Sequence, residues 1–281
     1  MKNYQLTQHQ IQAYAHYLLA EEKSGATVEK YLRDIRSFAC WLDGRDISKE
    51  LTSEWKSHLV SQDYAPTTVN AMLSALNSLL DFLGFGDCRV KFLKVQRRMF
   101  RDDSRDLTRS DYNALTAAAK AQNKTRLALL MEAICATGIR VSEVQYITVE
   151  AARAGRAEVA LKGKIRTILI PSKLCRKLLK YAKQQKTASG EIFLTRNGTP
   201  LSRRQIWAEM KGLCKTAGVA ASKVFPHNLR HLFAAAFYRA SRDIVKLADV
   251  LGHSSLETTR IYLLTSGAEH QRQLDRLGLV S

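Results

Sequence analysis

The segment TVEKYLRDIRSFACWL, residues 27–42, sets Val28, Tyr31, Leu32, Ile35, Phe38, Ala39 and Leu42 three and four positions apart. A repeat near 3.6 gathers such residues on one stripe of an α-helix, which then has to be buried. TTVNAMLSALNSLLDFLG repeats the pattern with Val69, Met72, Leu73, Leu76, Leu80 and Leu83. Thr67, after Pro66, is the candidate cap of this helix, and Gly84 is its stop. About four such helices fit before residue 95. The chain is therefore constrained to be mainly helical, and any sheet has to be small.

The period changes only in the second half. RSDYNALTAAAKAQ and RLALLMEAICATGIR still read as helices, the second ended by Gly138 just before Arg140. AEVAL and RTILIP, around the turn KGKI, then read as two short strands of a hairpin with lysines at its tip. A smaller strand and turn are expected in IFLTRNGTPLS, with Asn197 and Gly198 as the turn signal. Helix resumes after Ser202, where SRRQ is a capping box for QIWAEMKGLCKTAG. Between the halves, VQRRMFRDDSRDLTRS is charged and aperiodic, as an inter-domain linker is. The reading is mainly α with a small antiparallel β-sheet: a helical N-terminal domain over 1–95, a linker over 96–107 and an α+β domain over 108–281.

Charge narrows the partner. The 281 residues carry 44 Lys and Arg against 26 Asp and Glu, a formal +18, which is the footprint of a nucleic-acid binder, with membrane surfaces and acidic proteins as other takers. Up to Arg101 there are 14 basic and 11 acidic residues, and beyond it 30 and 15, so most phosphate contacts are expected from the C-terminal part. Cys40, Cys88, Cys135, Cys175 and Cys214 are scattered, odd in number and form no C-x-x-C pair, which argues against a disulfide framework or a cysteine metal site and suits a reducing cytosol. No run approaches the ~20 apolar residues of a membrane span, and no leader pattern opens the chain. A cytoplasmic protein is expected.

Four polar islands interrupt apolar, helix-rich surroundings: ATGIRVSE, KGKIR, HNLRH and LGHSSLETTRIY. Arg140 and Glu143, three apart, are explained by a local salt bridge alone. Lys162 and Lys164 suit a solvated turn, or a mobile proton donor. In FPHNLRHLF, His227 and His231 are four apart with Arg230 between them, which fits a zinc pair, an anion site or a buried helix start. Gly252 ends a helix, His253 follows, and SSLE from Ser254 is read as a capping box that starts another, with Tyr262 more than one turn inside it. Together the islands hold two arginines, a hairpin lysine, histidines and a tyrosine, with no Asp and Glu cluster suited to magnesium. That set suits metal-free phosphodiester chemistry, which needs cationic donors for the non-bridging oxygens, a nucleophile, a base and an acid.

In order and spacing these islands resemble the tyrosine recombinase, or phage integrase, family. ATGIRVSE, HNLRH and LGHSSLETTRIY match its three motif boxes, KGKIRTILIP is similar to its lysine hairpin, and residues 5–95 resemble its helical core-binding domain. The resemblance implies a site-specific DNA recombinase with a SAM-like core-binding domain and an α+β catalytic domain, which clamps double-stranded DNA, works as a dimer on each site and a tetramer at synapsis, and needs no metal, cofactor or ATP. It implies that Arg140 and Arg230 hold the scissile phosphate and that Tyr262 attacks phosphorus, leaving a 3′-phosphotyrosyl link and a free 5′-hydroxyl that leads on through a Holliday junction. His227 would be the general base, His253 a hydrogen-bond donor to a non-bridging oxygen, and the hairpin lysine the acid for the leaving 5′-oxygen. The family hairpin reads G-K-G-x-K-x-R, whereas LKGKIR lacks the leading glycine and is one residue shorter. Aligning it by a deletion after Gly163 selects Lys162, with Lys164 the alternative. HLFAAAFY departs where the family often carries a threonine, a position read as packing. Glu143 and His231 are read as supporting Arg140 and the helix. The tail around Leu274 and Leu277 is amphipathic, and either docks on a neighbouring protomer or folds back. Integration or excision, inversion and dimer resolution all fit, and the other functional reading is a non-catalytic sequence-specific DNA-binding protein of the same fold.

Overall fold

A computed structural model describes residues 4–95, 103–161, 164–262 and 275–277. The chain divides into two compact units, Met1–Arg97 and Arg98–Ser281.

Among the described residues the first unit contains the α-helices α1 (Gln8–Ala20), α2 (Gly25–Leu42), α3 (Lys49–Ser61) and α4 (Pro66–Phe82), with a short 3-10 turn at Gly86–Cys88. Their apolar stripes meet in one core that contains Tyr14, Ile35, Phe38, Trp55, Leu73, Leu76 and Leu80. Side chains of Thr7, Ser24 and Ser48 cap the first three helices. For α4 the expected Thr67 cap is corrected: Ala65 is the N-cap, makes no side-chain bond, and Pro66 takes the first helical position. Proline has no N–H to satisfy and a φ already set for helix, so α4 starts two residues earlier than a Thr67 cap requires.

Asn70 and Asn77, two turns apart on α4, act as an edge for the chain that follows. The Asn77 amide accepts from the Val90 N–H and donates to the Val90 carbonyl, both at 2.9 Å, and Asn70 does the same to Leu93 at 2.8 and 2.9 Å. Thr52 adds a bond to the Cys88 carbonyl at 2.7 Å. Side chains thus take the place of a sheet partner at Val90 and Leu93 and for the Cys88 carbonyl.

In the second unit α5 (Arg109–Ala121), α6 (Thr125–Thr137) and α7 (Val149–Ala154) lead into the hairpin of β1 (Arg156–Leu161) and β2 (Lys164–Leu169). Then come α8 (Ser172–Gln184), α9 (Arg203–Lys211), α10 (Cys214–Ala217), α11 (Pro226–Ser241), α12 (Ile244–Leu251) and α13 (Leu256–Arg260). The strands are antiparallel, with Arg156 opposite Leu169 and Leu161 opposite Lys164. A large core centred on α6 contains Leu130, Ile134, Ile139, Ile168, Leu178 and Leu229, and a smaller one under α11 and α12 contains Ala234, Leu247, Leu251 and Tyr262.

Three local expectations change. IFLTRNGTPLS forms no strand, only the bridge Leu194 to Pro200, with the bridge Thr148 to Glu191 just before it. Thr195 and Thr199 close a tight local turn with backbone and hydroxyl bonds, and Pro200 has no N–H with which to extend a ladder. The helix opened by Ser202 and Gln205, which do form a capping box, is divided near Gly212 into α9 and α10. The cap of α13 is Ser255, not Ser254, and Tyr262 follows the end of that five-residue helix rather than lying inside it. The five cysteines are unpaired. Among the described residues no helix is long and apolar enough to cross a membrane. Lys162, and most of the tail stretch including Leu274, lie outside the described residues; Leu277 is exposed.

Candidate active site

Two helix ends and one helix start bring the motif boxes together. α6 ends on Gly138, whose φ of +66° turns the chain so that Arg140 leads the next short turn. Glu143, 1 % exposed, accepts from the Arg140 backbone N–H and from its guanidinium Nη1, both at 2.8 Å. The pair expected from sequence is present, but Glu143 has a second cation: Arg166 on β2 donates Nη2 at 2.6 Å to Oε2, the oxygen that also accepts the Arg140 backbone N–H. Arg166 Nη1 also donates to the Leu251 carbonyl at the end of α12.

Arg230 lies in the first turns of α11 and is 2 % exposed. Its fork of donors is fully directed: Nη1 to the Gly138 carbonyl, Nη2 to the Leu251 carbonyl at 2.9 Å and to His253 Nε2 at 2.9 Å, and Nε to the Tyr262 hydroxyl at 3.4 Å. Its pKa is pushed below the usual arginine value by burial, against the Tyr262 hydrogen bond, with Arg140 adding repulsion. Arg166 is pushed the same way by burial, opposed by Glu143 and reinforced by Arg230 and Arg140. Three guanidinium groups thus act on each other around one carboxylate.

His253 follows Gly252, the C-cap of α12 with φ +65°. A guanidinium can only donate, so His253 Nε2 accepts from Arg230, and the proton of the neutral ring is on Nδ1, 2.8 Å from Thr259 Oγ1. Burial and then Arg230, Arg140 and Arg166 lower its pKa to about 4, which agrees with the neutral ring. Tyr262 is 6 % exposed, its ring stacked on His253 at 5.8 Å and 11° and set 4.8 Å from His231 and 6.0 Å from His227. His227 is exposed in the first turn of α11, whereas Asn228, Leu229, Arg230 and His231, the rest of that box, are in the interior.

Arg140, Arg230, His253 and Tyr262 are therefore in one cluster, His227 is at its exposed edge, and Lys164 opens β2. Among the described residues no group of three His, Cys, Asp or Glu side chains gathers as a metal site would require. Sequence reasoning gave no role to Arg166 or Thr259. Arg166 is the final residue of the hairpin pattern, which was a usable signal; Thr259 had none beyond its place three residues before Tyr262.

Residues 105–268 match the model of the phage integrase family, and residues 11–84 match its N-terminal SAM-like domain. The chain belongs to the phage integrase family. This integrase-family chain is 29 % identical over 272 residues to the tyrosine recombinase XerA of Thermococcus kodakarensis, covering 94 % of this chain and 93 % of that one. It is 30 % identical over 275 residues to XerD of Brucella suis, covering 87 % and 89 %. Its fold is shared with a lambda integrase dimer bound to a core site, with TM-score 0.73, 18 % identity and coverage of 92 % and 95 %. XerH bound to its difH substrate aligns with TM-score 0.69 at 17 % identity, covering 95 % and 84 %. In this integrase-family chain the site can present cationic donors, a neutral imidazole and a phenol to one anionic centre.

Proposed function

We propose that Tyr262 is the nucleophile with which this site-specific tyrosine recombinase breaks and rejoins DNA strands. The observation that carries the assignment is the 3.4 Å hydrogen bond from Arg230 Nε to the Tyr262 hydroxyl, within the same guanidinium fork that reaches His253. A phosphate brought to that fork lies beside the phenol, and effective attack requires just such an approach of nucleophile and phosphorus. Arg140 and Arg230 neutralise the non-bridging oxygens as charge grows on the phosphorane. His227, at the exposed edge, takes the phenol proton; His253 turns from acceptor to donor when a phosphate oxygen replaces the Arg230 contact. The hairpin lysine, Lys162 or Lys164, protonates the leaving 5′-oxygen. The phosphotyrosyl bond retains the energy of the phosphodiester, so a second 5′-hydroxyl can reverse the step without ATP.

Double-stranded DNA is the partner. Lambda integrase is known as a dimer on a core site and a tetramer on a Holliday junction, and the same progression, with one dimer per site, is our reading for this chain. We assign the first unit to core DNA binding and the second, which carries most of the positive charge, to catalysis. Unpaired cysteines and DNA as the substrate support the reading of a cytoplasmic protein.

The test is covalent capture. Sheared DNA of the encoding organism, nicked at random, is incubated with the protein and the denaturation-resistant adducts are sequenced to give the site. Wild type is expected to capture one recurrent site and Tyr262→Phe none. Equal capture by the variant, or no capture by wild type, rejects the assignment; the latter favours a binding-only protein.

A further inference from the structure

The roles above leave Arg166 without one, although its side chain reaches from the hairpin to both Glu143 and the Leu251 carbonyl. The base of the hairpin is held by apolar contacts, with Ala157, Val159 and Ile168 buried. Towards the turn the attachments are polar: the Tyr146 hydroxyl donates to the Ala160 carbonyl at 3.0 Å, and Arg166 reaches across to Glu143 and to the Leu251 carbonyl. Both of its acceptors are shared. Glu143 also holds Arg140, and the Leu251 carbonyl also accepts from Arg230. Gly252 packs so closely under the Arg166 side chain that a Cβ at that position would overlap it. One guanidinium thus registers β2 against the holders of both phosphate-binding arginines, two residues along the strand from Lys164.

This arrangement is a poor device for stability. A buried ion pair returns little net stabilisation, and Arg166 Nε is buried with no hydrogen-bond partner among the described residues. It is a good device for placement, because the planar fork sets direction as well as distance.

We propose that Arg166 is a positioning residue: it fixes the hairpin against Glu143 and Leu251 so that the hairpin lysine meets the leaving 5′-oxygen. The proposal rests on the recombinase reading above. In the step concerned, the bond from Tyr262 Oη to phosphorus forms, the bond from phosphorus to the 5′-oxygen breaks, and the phenol proton goes to the base. The lysine ammonium gives its proton to the departing oxygen and becomes an amine.

The experiment compares two substrates built on the captured site, one ordinary and one with sulfur in place of the bridging 5′-oxygen at the scissile phosphate. A thiolate leaves without a proton, so the sulfur substrate removes the need for the acid and for anything that places it. The sulfur-to-oxygen ratio of cleavage rates within one protein sample cancels any loss of folded material. Arg166→Met is expected to cleave the oxygen substrate about 100-fold more slowly and the sulfur substrate within about threefold of wild type. The rise in ratio should match that of Lys162→Ala or Lys164→Ala, whichever removes the acid. An unchanged ratio in Arg166→Met, beside a raised ratio in a lysine variant, overturns the proposal. It also falls, with Tyr262 capture intact, if neither lysine variant raises the ratio. Failure of wild type to form the adduct sinks the recombinase reading itself and is seen before any ratio is measured.

Discussion

His253 gives its Nδ1 proton to the hydroxyl of Thr259, a fully buried side chain 2.8 Å away. A hydroxyl is the one neighbour that can serve either tautomer of the ring, accepting when Nδ1 is protonated and donating when it is not. The pair therefore lets Nε2 accept from Arg230 in the free protein and donate to a phosphate oxygen in the complex. Thr259→Val keeps the shape and removes both roles. The expected result is about a tenfold loss of cleavage, in the range of a lost oriented hydrogen bond, with little change in melting temperature and recovery in Thr259→Ser. Nitrogen-15 shifts of His253 should report the Nδ1-protonated ring in wild type; an Nε2-protonated ring would refute the assignment.

The depressed pKa of His253 has a consequence for acid stability. The unfolded chain takes up this proton near pH 6.5, the folded chain only near pH 4. Between those values the unfolded state binds more protons, so stability falls as pH drops from about 6.5 to about 4 and is independent of this group above that window. Thermal melts of wild type and His253→Gln at pH 7 and pH 5 test this. The variant should lose less of its melting temperature, and equal losses would show that the ring titrates normally.

Glu143 is bonded to both Arg140 and Arg166. Glu143→Ala leaves two guanidinium groups facing each other without it, and removing one member of a buried ion pair typically costs about 3–5 kcal/mol. A clear drop in denaturation midpoint is expected, together with weaker cleavage. A variant as stable as wild type would mean that solvent already screens the cluster.

In the first unit, Asn77→Ala removes two hydrogen bonds and leaves the Val90 N–H and carbonyl without the amide. A loss of about 2 kcal/mol is expected from the buried polar groups left over. Hydrogen exchange at Val90 should accelerate while exchange in the middle of α2 changes far less; uniform acceleration would argue against a local tie.

Much of this was legible before the structure. Helices α2 and α4 follow from their apolar spacing, and Gly138 and Gly252 were visible as helix stops because the end of a helix favours a left-handed residue. The motif order was enough to name Arg140, Arg230, His253 and Tyr262 as companions. Less legible were features decided by competition at short range, such as Ser255 capping α13 in place of Ser254, or Pro66 displacing Thr67. Least legible was the Arg166 connection, whose acceptors lie 23 and 85 residues away in sequence. No local periodicity encodes such a partner; only the fold brings β2 to the end of α12.

Gly138 has its own consequence for how chains of this kind can diverge. Its backbone is left-handed, and a Cβ there would also overlap the ring of Phe233 on α11. Shrinking Phe233 would remove the severe overlap and still leave the Leu251 side chain at 3.1 Å and the backbone penalty, whereas a smaller residue at 233 asks nothing of position 138. Drift between the two positions is therefore asymmetric: a smaller residue at 233 meets no obstacle from the glycine, whereas a side chain at 138 meets the left-handed backbone whatever 233 becomes. The turn that leads to Arg140 and the carbonyl that receives Arg230 are thus set at a position with little freedom to change.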